Sequence, residues 1–161
     1  MTTFYAQPYS LDHTGFYFES LEEFETGMEN LNKRGCEEVE LQFIDGESHH
    51  AKLAEAAGMN QANIALWFET LDDLDEEDAT RLTFLLERSF KLEDALGRFD
   101  EVCLYKGRAA HYAQELIEET TEIPANLQYY IDYDAIARDM RLNGEIEEID
   151  SETLVTNAHD F

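Results

Sequence analysis

Acidic side chains recur from one end of this chain to the other, interleaved with the residues a core must be built from. Of 161 residues, 37 are Asp or Glu and 11 are Lys or Arg, a formal charge of −26. Residues 1–60, 61–101 and 102–161 carry −9, −8 and −9. An acidic tail is a block of like charge outside the fold, whereas here the acids must sit on the outer faces of elements whose inner faces are apolar. Self-repulsion on this scale opposes compaction, and a hydrophobic content of 43% supplies the core that resists it. The length suits one ordinary domain, or two or three small lobes.

The first sixty residues predict a small α+β lobe. TFYAQPY and TGFYFES are aromatic, strand-like runs joined by the turn LDHTG. Ser20 can cap a helix from Leu21, with Glu23 at the third position completing a capping box. Leu21, Phe24, Met28 and Leu31 then share one face and Glu22, Glu25 and Glu29 the other, with Gly35 ending the helix. CEEVELQFIDG alternates as a strand, with Val39, Leu41 and Phe43 inward and Glu38, Glu40 and Gln42 outward. A three-stranded antiparallel sheet with a helix across it is expected over 1–60.

Residues 61–103 read as a helical middle lobe. A helix over His49–Ala57 is broken by Gly58 and Asn60, and NIALWFETL begins another carrying Trp67. Asp75 is the expected N-cap of the next, with Glu76, Glu77 and Asp78 in its first turn, where negative charge meets the positive end of the helix dipole. Leu82, Leu85 and Leu86 are its expected core residues, and KLEDALGRFDE adds a short helix closed near Gly97.

A helix over Arg108–Thr121 opens the last lobe, residues 104–161, which is expected to be mixed α/β. Ala109, Tyr112, Ala113 and Leu116 form its apolar face, while Glu115, Glu118, Glu119 and Glu122 fall at i, i+3, i+4 and i+7. Like charges so placed cost a few tenths of a kcal/mol per pair and stand about 5–6 Å apart, a spacing comparable to phosphates along a strand. Such a stripe is either a solvated helix face or a surface presented to a partner. Lys106 and Arg108 interrupt the acids just before it. After Gly144, EIEEID and SETLVTNAHDF predict a closing hairpin.

The stretch IPANLQYYIDYDAIARDMRLNG, Ile123 to Gly144, predicts two short helices. Pro124 suits a first helical turn anchored by Leu127, Tyr130 and Ile131. After a turn at Asp132–Asp134, Asp134 can cap a second helix bearing Ile136, Ala137 and Met140, which Asn143–Gly144 would stop. Tyr129, Tyr130 and Tyr133 are expected in core or interface packing. The string YYIDYDAIARDM, with its preceding proline and following glycine, resembles the C-terminal signature of the ArdA antirestriction family. The resemblance is close from Asp100 to Gly144 and looser over Leu66–Phe99.

That resemblance implies an elongated α+β protein of small lobes which imitates B-form DNA and inhibits type I restriction-modification enzymes by occupying their DNA-binding groove. It implies no catalysis, no cofactor, no direct contact with nucleic acid, and a homodimer formed through the C-terminal part. Duplex DNA carries one charge per ~1.7 Å, so this chain's charge corresponds to about 44 Å of duplex. The carboxylates expected to stand in for phosphates are Asp72, Asp73, Asp75, Glu76, Glu77, Asp78, Glu87, Glu93, Asp94, Asp100, Glu101, Glu115, Glu118, Glu119 and Glu122. The same charge would suit an acidic module that shields another basic nucleic-acid-binding protein.

Other chemistries find little support. DDLDEED is not an EF-hand loop: counted from Asp73, the positions needing glycine and glutamate hold Asp78 and Phe84. His49 and His50 are adjacent, with no zinc motif around them, and are expected as a surface pair. Cys36 and Cys103 lack C-x-x-C spacing and are expected as buried thiols of a cytoplasmic protein. No run approaches a membrane span. Carboxylate pairs are so many that none singles out an acid and a base.

Overall fold

Alternation in TFYAQP sends Phe4, Ala6 and Pro8 to one side of strand β1 (Thr3–Pro8) and Thr3, Tyr5 and Gln7 to the other. β1 is the middle of a three-stranded antiparallel sheet, flanked by β2 (Phe16–Phe18) and β3 (Val39–Asp45). Tyr5 pairs with Tyr17 on one side and Gln42 on the other. The computed structural model describes residues 1–161, in two compact units, Met1–Ala95 and Leu96–Phe161. The segment 1–60 and most of 61–103 fall within the first unit.

The first unit is built on aromatic packing. Phe4 stacks on Phe18 at 5.7 Å and meets Trp67 edge-on at 5.2 Å, and Phe18 reaches Phe24 at 5.0 Å. Helix α1 (Leu21–Asn32) supplies Phe24 and Leu31 to this core. Its cap is reciprocal: Ser20 accepts from the Glu23 N–H at 3.3 Å, and Glu23 accepts from the Glu19 N–H at 2.7 Å. Four further helices follow, α2 (Ser48–Ala56), α3 (Ile64–Glu69), α4 (Glu76–Glu87) and α5 (Leu92–Leu96). Asp75 caps α4 by accepting from the Asp78 N–H at 2.9 Å. The buried stripe of α4 runs through Ala79, Leu82 and Leu85 and includes Phe84. Leu86, expected inside, lies half-buried at the edge of that stripe.

His50 corrects the expectation of a surface pair. It is 4% exposed, meets the Thr2 hydroxyl through Nδ1 at 3.3 Å, and sets Nε2 3.4 Å from the Leu74 carbonyl oxygen. Position 50 faces inward on α2 beside Leu53 and Ala54, so the ring is buried by helical phase and satisfied by polar neighbours.

The second unit packs α6 (Ala109–Thr120) and α7 (Tyr133–Leu142) with a second three-stranded antiparallel sheet. Its core is Ala109, Ala113, Ala137, Met140, Ile146 and Leu154, with Tyr105 and Leu116 packed against it. β5 (Glu147–Asp150) and β6 (Thr153–Val155) form the expected antiparallel pair, with a register shift at Ile149 that accounts for the broken alternation there. β4 (Leu104–Lys106) pairs with β6; three residues are too few to show a period.

Between α6 and α7 the expected first helix is replaced by successive turns, with Leu127 N–H donating to the Pro124 carbonyl and Tyr130 N–H to the Leu127 carbonyl. Eight residues are too few to offset helix nucleation without packing, and Tyr129 and Tyr130 stand 92% and 83% exposed. α7 is capped by Asp132, accepting from the Ala135 N–H at 2.9 Å, and not by Asp134, which lies in its first turn. Gly144, with φ of 74°, closes it as expected, Glu145 N–H reaching back to the Met140 carbonyl. Cys36 is buried, but Cys103 is exposed beside β4.

Candidate functional site

The α6 stripe is solvent-facing. Glu115, Glu118 and Glu119 are all exposed, opposite the buried Ala109 and Ala113. α6 contains no Lys or Arg, and arginines of this unit pair with acids off that helix, among them Arg98–Glu101, Arg138–Asp139 and Arg141–Glu148. Gln114 donates to Glu118 at 2.8 Å and orients it. Glu122 does not belong to the helical stripe. Thr121 is extended at φ −135°, ψ 128°, as suits a β-branched pair shortly before a proline, and Glu122 is exposed in the segment beyond.

Tyrosines line part of this acidic face. Burial and then a hydrogen bond to Glu115 hold the Tyr105 hydroxyl above its ordinary pKa. Tyr133 is likewise raised, by burial and then by the charge of Glu118. Neither Tyr105–Glu115 nor Tyr133–Glu118 is legible at the level of sequence, since the partners come from different elements.

In the first unit Asp73, Asp75, Glu76 and Glu77 are exposed around the start of α4, as are Glu87, Glu93 and Asp94 further on. Arg81 takes Asp78 at 2.6 Å and Glu77 at 3.4 Å, partly neutralising that end. Asp72 is turned to internal use: it accepts from the Thr2 hydroxyl and from the Trp67 indole N–H at 3.3 Å. Asp100 is exposed. Glu101 binds Arg98 at 2.8 and 3.1 Å, and that hydrogen bond raises the Arg98 pKa. Thirteen of the fifteen candidate carboxylates are therefore exposed, Asp72 and Asp78 being half-buried.

The first sixty residues hold none of the fifteen candidates, yet all twelve acids there are exposed. The signal was the −9 of that segment. The structure holds no cluster of three His, Cys, Asp or Glu suited to a metal ion, and no helix long and apolar enough to cross a membrane.

No curated protein matches the chain. Residues 11–154 match the family model described as antirestriction protein (ArdA). That span extends well before Leu66, where the signature resemblance had thinned out, and takes in most of the N-terminal sheet and α1. Because the match covers nearly the whole length, the chain belongs to the ArdA family of antirestriction proteins.

Proposed function

We propose that this antirestriction protein acts as a DNA mimic, presenting carboxylates where a duplex presents phosphates and occupying the DNA-binding groove of a type I restriction-modification enzyme. The observation that carries this reading is the exposure of acids on both compact units, above all the α6 face, where Glu115, Glu118 and Glu119 stand without cations in their own helix. Such a face is unfavourable to the isolated fold and is complementary to a groove lined with Lys and Arg. No bond is made or broken. Recognition is electrostatic, so it weakens with salt as DNA binding does.

A homodimer is part of the proposal. Leu127, Tyr129, Tyr130 and Leu142 are exposed in the second unit at 48%, 92%, 83% and 79%, and apolar groups so displayed suit a contact between copies. Pairing about a two-fold axis would lengthen the run of negative charge. The test is cleavage of unmodified DNA by a type I enzyme in the presence of increasing protein. Protection at stoichiometric concentration supports the reading; full cleavage in the presence of the folded protein contradicts it.

A further inference from the structure

The N-terminal sheet turns a tyrosine pair outward, away from its aromatic core. Tyr5 on β1 stands opposite Tyr17 on the edge strand β2, with ring centroids 4.7 Å apart and planes tilted by 50°. Across β1, Gln42 of β3 pairs with Tyr5 and Glu40 with Gln7. Tyr17 is 65% exposed on one edge strand, and Gln42 and Glu40 are exposed on the other, Gln42 directly across from Tyr5 and Glu40 diagonal to it. The core lies on the other face, through Phe4, Phe18 and Trp67; on this face the turn at Gly15 packs close to the half-buried Tyr5 ring, while Tyr17 stays open.

Charge selects what can cover the face. Residues 1–32 and strand β3 contain no Lys or Arg, and all twelve acids of residues 1–60 are exposed. Nucleic acid and anionic lipid are repelled, and a second copy of the chain would bring a sheet of the same sign. Tyrosine rings fixed on strands attract a cation through their π faces and offer apolar area at little rotamer cost. A planar, weakly hydrated guanidinium suits such rings and a nearby carboxylate better than a strongly hydrated ammonium.

We infer that this sheet face binds an arginine-bearing cationic segment of a protein partner, with the guanidinium on the Tyr5–Tyr17 rings and Glu40 supplying the opposite charge. The surface is distinct from α6, and the inference holds whether or not the partner is a restriction enzyme.

The experiment is NMR titration of the full isotope-labelled chain with octa-arginine and octa-lysine peptides. The amide signals of Tyr5, Tyr17 and Glu40 are expected to shift with octa-arginine, with affinity at this face about two- to fivefold higher than for octa-lysine. Tyr17→Ser, an exposed change that spares the core, is expected to abolish that preference while the rest of the spectrum is kept. Glu40→Gln is expected to weaken both peptides at this face with the ratio retained, and serves if the first variant does not fold. Equal response to both peptides, shifts confined to other acids, or the same shifts on concentrating the free protein, which would mean that a second copy covers the face, would overturn the inference. DNA protection in the cleavage assay is a separate readout, so failure here is distinguishable from failure of the mimicry reading.

Discussion

The indole N–H of Trp67, a fully buried ring, donates to the carboxylate of Asp72 at 3.3 Å. The same oxygen accepts from the Thr2 hydroxyl, tying the start of β1 to the turn after α3. Asp72→Ala leaves the buried Trp67 indole N–H unsatisfied and the Thr2 hydroxyl with only His50 Nδ1 at 3.3 Å, and a hydrogen bond to a charged acceptor contributes about 1.5–3 kcal/mol. Urea unfolding is expected to show a loss of about 2–3 kcal/mol. Protection of DNA at a temperature where the variant is folded is expected to be unchanged, which separates Asp72 from the exposed acids.

Gly15 marks where the turn after β1 passes close to its own strand. A Cβ there would overlap the Ala6 carbonyl oxygen and lie 2.7 Å from the Tyr5 ring. The carbonyl belongs to the central strand and cannot yield cheaply. Gly15→Ala is expected to cost about 1–3 kcal/mol through overpacking, read as a lower urea midpoint with an unchanged slope.

Opposite effects on stability and function are expected along α6. Glu118 and Glu119 place negative charge at the negative end of the helix dipole, so Glu118→Gln with Glu119→Gln is expected to raise stability by about 0.3–1 kcal/mol. Adding Glu115→Gln and Glu122→Gln is expected to lower DNA protection in graded steps. Loss of all protection from one of these changes, with folding intact, would point to a discrete site in place of a charge field.

Alkaline pH is expected to weaken the second unit. Tyr105 holds its proton more tightly in the folded chain than in the unfolded one, by burial and by its bond to Glu115, and Tyr133 acts in the same direction. Their contribution is full below the unfolded tyrosine pKa of about 10 and is lost as pH rises through the folded values, because the unfolded state releases its protons first. Unfolding midpoints should fall above about pH 10, less steeply in Tyr105→Phe.

Legibility in the sequence followed the strength of local signals. The Ser20 and Asp75 caps, the α1 and α6 faces, the alternation of β3 and the Gly144 stop each depend on residues within one turn or one strand, and each is present. The Pro124 segment failed because its apolar residues had a helical period but no surface to pack against. The grouping of His50, Asp72 and Thr2 was illegible for the converse reason: their contacts join residues 48 and 70 positions apart. Exposure of the acids was foreseeable from charge alone, whereas the half-buried placing of Asp72 follows from the Trp67 indole N–H and the Thr2 hydroxyl that it accepts from.

The most direct measurement of the central claim is displacement of a labelled duplex from a type I methyltransferase core by the purified protein at several salt concentrations. The mimicry account predicts displacement at low salt that fades steeply as salt rises, as counterion release requires. Failure to displace the duplex at low salt, from protein shown to be folded, would contradict it.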